Sequence, residues 1–167
     1  MTLVDYSDVE KLITQEDEFQ DLYFLFSRSR YALFRVREKE LQRYDLSPEQ
    51  VQVLFVAHAL GNKCTPAEMA RILVRRPHTV SALINRMESK GLIKKVKDME
   101  RKNWVRVLVT EKGEKAVAIA RKRDPISRVL GELDKEERQL FHKYLERILT
   151  KSSDELGLNK DNLPPSE

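Results

Sequence analysis

Between Thr65 and Gly113 the chain carries two helix starts, two helix stops and two alternating apolar runs, and few folds can hold that order in so short a span. Thr65-Pro66-Ala67-Glu68 is a start signal: Thr65 can cap, Pro66 suits the first turn and Glu68 can bond back. Met69, Ala70, Ile72 and Leu73 make the short helix apolar, and Val74-Arg75-Arg76 turns the chain before Pro77 starts a second helix. That helix, His78 to Lys90, places Val80, Leu83, Ile84 and Met87 on one face, with His78, Thr79, Ser81 and Asn85 elsewhere; Gly91 stops it. Leu92 to Lys97 and Val105 to Thr110 then alternate around the polar tip Asp98 to Asn103, which predicts a hairpin. Helix, turn, helix, hairpin is the order of a winged helix-turn-helix.

Charge narrows the partner. From Arg71 to Arg106 there are 11 basic residues against 3 acidic ones, a surplus of eight, while the whole chain has 31 against 27. The remainder is therefore net acidic by about four charges, and the first twenty residues alone carry six acids and one lysine. A basic surplus confined to a helix-turn-helix and its wing implies a polyphosphate partner, double-stranded DNA. The competing reading is a winged helix used only for protein contacts, which would not need the excess of Lys and Arg.

The flanks predict long helices. Phe19, Leu22, Tyr23, Phe26, Leu33 and Leu41 recur at helical spacing, interrupted by Arg30 and Arg37; Phe24, Leu25, Tyr31, Ala32, Phe34 and Val36 cover further faces. Ser47-Pro48-Glu49-Gln50 is a capping box opening a support helix that continues to Gly61. After the wing, Thr110 begins a helix running toward Arg123, and Pro125 predicts a break at Asp124. Asp134 to Glu137 is another capping box, introducing a helix with Leu140, Phe141, Tyr144, Leu145, Ile148 and Leu149 on one wide face. These faces exceed what a small reader can cover, so a twofold dimer is expected.

The expected fold class is mostly α (α+β), a winged helix-turn-helix between long N- and C-terminal dimerisation helices. As one integrated domain it divides into an N-terminal segment and dimerisation helix (1–45), the reader (46–113), C-terminal dimerisation helices (114–156) and a tail that frays (157–167).

Thr65-Pro66-Ala67-Glu68-Met69-Ala70, Pro77-His78-Thr79-Val80-Ser81, Asn85 through Ile93, Asp98 and Val109-Thr110-Glu111-Lys112-Gly113 resemble, in order and spacing, the MarR family of bacterial transcription regulators. The resemblance implies a homodimer on pseudo-palindromic DNA, usually a repressor, often released by a small aromatic ligand or an oxidant. One departure stands out. Where such wings commonly read Asp-Arg-Arg, this chain has Arg101-Lys102-Asn103, which leaves Arg101 as the substitute for the minor-groove arginine.

His78, Thr79 and Ser81 lie at the start of the second helix, where side chains reach base edges; helix capping is the alternative role for the two hydroxyls. Arg75, Arg76 and Arg86 are expected on phosphates, with an Arg86–Glu88 pair as the alternative for Arg86, and Pro77 serves as a first-turn proline. Lys94, Lys95, Arg101 and Lys102 supply the positive charge of the wing, and Trp104 packs at its base. An effector pocket, raised only by the resemblance, would draw on Tyr23, Tyr31, Phe34, Phe55 and His58, which are also ordinary core residues at helical spacing. Cys64 is either a redox sensor, its pKa lowered by Lys63 and the nearby helix start, or an idle buried thiol.

His58, His78 and His142 have no metal-ligand spacing with one another or with Cys64, and no glycine loop cradles a phosphate, so neither a cofactor, a metal nor enzyme activity is expected. With one cysteine, no signal peptide pattern and no apolar run of membrane-spanning length, the expected location is the cytoplasm.

Overall fold

Asp17 accepts hydrogen bonds from the backbone N–H groups of Phe19 and Gln20 and so starts α1, Glu18–Leu41. The computed structural model describes residues 17–97 and 104–158. The acidic segment before Asp17, the wing tip with Arg101 and Lys102, and all but the start of the C-terminal tail lie outside the described residues. A 3-10 turn, Gln42–Tyr44, leads from α1 to α2, Pro48–Leu60. There the Ser47–Gln50 capping box forms in both directions. Helices α3 (Pro66–Ile72) and α4 (Pro77–Ser89) make the helix-turn-helix, and β1 (Ile93–Lys97) with β2 (Val105–Val109) makes the wing. Three helices complete the order: α5 (Glu111–Ala120), α6 (Asp124–Leu130) and α7 (Lys135–Glu155).

The core lies under the reader. Val53, Leu54, Met69, Val80, Ile84, Met87, Ile93 and Val107 are almost fully enclosed, so α2, α3, α4 and both strands share one apolar cluster with Ala116, Val117 and Ala120 of α5. The strands pair antiparallel in the register Ile93↔Val109 through Lys97↔Val105. Val107 N–H also donates to the Cys64 carbonyl at 2.9 Å, tying the wing to the segment before α3.

Two helix ends position the recognition helix. Gly91, at φ +70°, terminates α4 with Leu92 N–H on the Met87 carbonyl and Gly91 N–H on the Glu88 carbonyl. The same paired pattern ends α3, where Arg75 N–H reaches the Ala70 carbonyl and Val74 N–H the Arg71 carbonyl. There the left-handed residue is Val74, at φ +51°, a β-branched side chain where glycine is usual, so the turn stores strain of order 1–3 kcal/mol.

The break after the wing falls earlier than expected. α5 ends at Ala120, Arg123 turns the chain at φ +47°, and Asp124 is already helical with Pro125 in the first turn. Proline disfavours the preceding helical residue, yet it sits well within a first turn, where its missing N–H costs nothing. Arg37, an interruption in the apolar pattern of α1, is buried: its guanidinium donates to the Ala120 carbonyl at the end of α5 and pairs with Glu40.

The last helix stands apart. None of the 21 residues of α7 is buried, and it packs extensively against no other described element. Its Leu140, Phe141, Tyr144, Ile148 and Leu149 are all at least two-fifths exposed, as are Phe19, Leu22, Tyr23, Leu25 and Phe26 of α1.

Candidate nucleic-acid interface

The apolar stripe of α4 sets what the opposite face can offer. Burial of Val80, Leu83, Ile84 and Met87 turns His78, Thr79, Ser81, Asn85 and Arg86 to solvent. The helix starts at Arg76, whose side chain makes no capping bond, and its first turn holds Pro77 and no acid. The positive end of the helix is therefore open to an anion. Thr79 and Ser81 lie inside the helix rather than at its cap position, which removes the capping alternative and leaves both hydroxyls exposed.

The basic residues divide by what they already hold. Arg76 and Lys94 are exposed. Arg75 is half-buried and donates to Gln52 Oε1 at 3.5 Å, a long contact that leaves most of its donors uncommitted. The alternative pairing of Arg86 with Glu88 does not occur, because Glu88 is taken by the wing. Lys95 Nζ lies 2.9 Å from Glu88 Oε2 and 2.8 Å from Asn85 Oδ1, so its charge is committed within the protein. By sequence Lys95 belongs with the wing lysines and Asn85 is one polar residue of α4; their contact arises only in the fold. Only the period of two in β1 hinted otherwise, since Lys95 shares a side with the buried Ile93. Glu68, expected to bond back to its helix start, holds the Arg71 guanidinium through both oxygens.

Other contacts lock the reader to α5. Thr110 Oγ1 donates to the Gly91 carbonyl at 2.6 Å, Thr110 N–H to the Leu92 carbonyl at 3.1 Å, and Lys112 Nζ to the Lys90 carbonyl at 2.8 Å. Through these bonds α5 begins directly beneath the end of α4. Trp104 is half-buried at the start of the return strand.

The five residues considered for an effector pocket line neither of the two clefts described below. Tyr23 and Tyr31 are exposed on α1, Phe34 and Phe55 are half-buried, and the Arg123 guanidinium covers the Phe55 ring at 6.0 Å. His58 sits between Glu114, 2.9 Å from Nδ1, and Arg121, 3.0 Å from Nε2. Since arginine only donates, Nε2 accepts and Nδ1 carries the proton toward Glu114. A cleft of about 430 Å³ lies instead among Arg123, Ile126, Ser127, Leu130, Gly131 and Arg138. Another, of about 200 Å³, lies between Tyr44, Lys90, Lys112 and Ile119.

Cys64 is fully enclosed, and burial, with the Glu68 charge in addition, pushes its thiol up to about 11. The lowering by Lys63 that the sensor alternative requires does not occur, and the thiol fits the other reading, an idle buried one. A thiol that ionises later in the folded protein than in the unfolded chain supports the fold fully below the unfolded value of 9.0. That support is lost as pH rises from 9 toward about 11, a change on the order of 2–3 kcal/mol. The native protein should therefore leave a thiol reagent unconsumed at pH 8 and react once unfolded in urea. A Cys64→Ala variant should lose less stability across that alkaline range, as urea titrations at pH 8.5 and 10.5 would measure. Fast native labelling at pH 8 would restore the sensor reading.

Among the described residues no His, Cys, Asp and Glu cluster is placed to hold a metal ion, and no helix is long and apolar enough to cross a membrane.

A recognition helix with arginines at its start, set on an apolar core and braced by a two-stranded wing, defines a winged helix-turn-helix protein. Residues 44–102 match the model of the MarR family. The organohalide-sensing RdhR transcriptional regulator, in its 2,4-dichlorophenol-bound form, is similar at 29% identity, over 93% of this chain and 97% of its own, with a TM-score of 0.70. The S. aureus MepR–DNA complex shares the fold at 23% identity, over 77% of this chain and 96% of its own, with a TM-score of 0.70. A mutant of E. coli MarR complexed with operator DNA does so at 20% identity, over 80% and 99%, with a TM-score of 0.72. No curated protein matches the sequence.

Proposed function

We propose that the chain is a homodimeric DNA-binding regulator of transcription, acting in the cytoplasm as a repressor on a pseudo-palindromic operator, and that a small aromatic molecule releases it. The observation that carries the reading is the solvent face of α4: base-reading side chains beside an open, uncapped basic helix start. The MarR-family match and the DNA-bound fold relatives support it. The likeness to a regulator holding 2,4-dichlorophenol supports an aromatic effector. Its site would need the second subunit to draw Tyr23, Tyr31, Phe34, Phe55 and His58 into one cavity. The chain works by binding and release rather than as an enzyme, and as one integrated unit in which 46–113 reads and the flanking helices pair.

In this reading His78, Thr79 and Ser81 contact bases, while Arg75, Arg76, Arg86 and Lys94, with Arg101 and Lys102, anchor on phosphates and Pro77 sets the helix start. Ser81→Ala or Thr79→Ala should cost on the order of 1–2 kcal/mol at the operator and relax preference at one position per half-site. Arg86→Ala should weaken binding to all duplexes alike and flatten the salt dependence by about one unit of slope. Anisotropy titrations on operator and random duplex at two salt concentrations measure both. Equal losses on both duplexes from every variant would overturn the division of roles.

A further inference from the structure

The Lys95–Glu88–Asn85 cluster joins the wing to the exposed face of the recognition helix, and its donors and acceptors can be assigned one by one. Both carboxylate oxygens of Glu88 are engaged by Lys95. Its Oε1 accepts the Lys95 backbone N–H at 2.9 Å and its Oε2 takes the Lys95 ammonium at 2.9 Å. These bonds to Lys95 hold its carboxyl below the usual range. The ammonium also donates to Asn85 at 2.8 Å. An ammonium has no lone pair, so the Asn85 atom facing it is the carbonyl oxygen, and the amide NH₂ points away from the wing.

Asn85 is exposed four residues after Ser81 and seven after His78, on the same face of α4. A freely turning asparagine reads adenine, accepting from N6 and donating to N7. The bond from Lys95 takes one of the two lone pairs of the Asn85 oxygen and holds that oxygen toward the wing, so the face turned from the wing carries the N–H donors. Guanine offers two acceptors, O6 and N7, and thymine one at O4; adenine sets its N7 acceptor beside an N6 amino donor that would face the second Asn85 N–H, and cytosine presents an amino donor.

We propose that Lys95, clamped by Glu88, is a positioning residue that holds the Asn85 carboxamide with only its N–H donors toward DNA, so that Asn85 selects a keto base, guanine or thymine, at one position of each half-site. This rests on the DNA-reading role of α4. It also gives Lys95 a task other than neutralising a phosphate.

The test is selection from a random duplex pool with the full chain and its variants at one fixed salt concentration. The wild type should enrich a site with a keto base at the position in question. Asn85→Ala should lower discrimination there about tenfold while leaving other positions intact. Lys95→Met frees the carboxamide to rotate and should move that position toward adenine, and Lys95→Arg, still a donor to both partners, should keep the keto base. Lys94→Met, on the other side of the strand, should lower affinity without changing the selected sequence. An enriched site that Asn85→Ala or Lys95→Met leaves unaltered overturns the clamp as a specificity device and reduces it to a brace. A wild-type selection that enriches nothing overturns the DNA-reading role itself.

Discussion

Leu140→Glu combined with Ile148→Glu should convert the protein to monomers of 19.6 kDa and lower operator affinity by roughly 100-fold or more. Both side chains are about half exposed in the single chain, so the changes leave the reader's core untouched. In a helix pair they would bury two carboxylates without partners, and each costs several kcal/mol in an apolar seam. The DNA effect comes from geometry. Two recognition helices held about 34 Å apart reach successive major grooves, and the second half-site binds at the high effective concentration set by the first. Sedimentation and anisotropy measure the two losses. A dimer that persists with full affinity would mean that the α7 face pairs with nothing.

Gly113→Ala should destabilise the protein by about 3 kcal/mol and lower its melting temperature by roughly 6–12 °C. In an ordinary helix this substitution stabilises by about 0.5–1 kcal/mol, so its sign alone is diagnostic. Here the added methyl would lie 2.1 Å from the Leu92 carbonyl oxygen and 2.6 Å from Val109 Cγ1. Neither can withdraw cheaply: the Leu92 carbonyl accepts from Thr110 N–H, and Val109 is paired with Ile93 in the wing. A urea titration should show an earlier midpoint with an unchanged slope. A neutral or stabilising result would show that α5 can move off the wing.

Much of the architecture was legible because its signals act over three or four residues. The boxes at Ser47 and Asp134 form as their spacing implies, Gly91 ends the recognition helix, and the apolar stripe of α4 faces the core. Local rules misplace the break by a few residues at Arg123, because Pro125 is compatible both with a helix ending before it and with one beginning beside it. The broad apolar faces of α1 and α7 were equally plain as sequence, since a pattern that no small core can cover is visible without coordinates.

What remained hidden depends on which elements meet. Arg37 looks like an interruption in α1, and only the arrival of the α5 terminus, 83 residues away, makes it a buried donor to the Ala120 carbonyl. Cys64 beside Lys63 leaves an activated and an idle thiol both open in sequence, and enclosure, which removes the water that would solvate a thiolate, decides for the idle one. Lys95 belongs by composition to a field of wing charges, and Asn85 is one polar residue among several. Ten positions apart, they become partners because the hairpin folds back onto α4, where Glu88 fixes the ammonium and leaves the asparagine oxygen as its remaining neighbour. Periodicity and capping are properties of a few consecutive residues and determined the helices, the turn and the wing. Burial, charge pairing and amide orientation belong to distances between separate elements, and only the packed chain decided those.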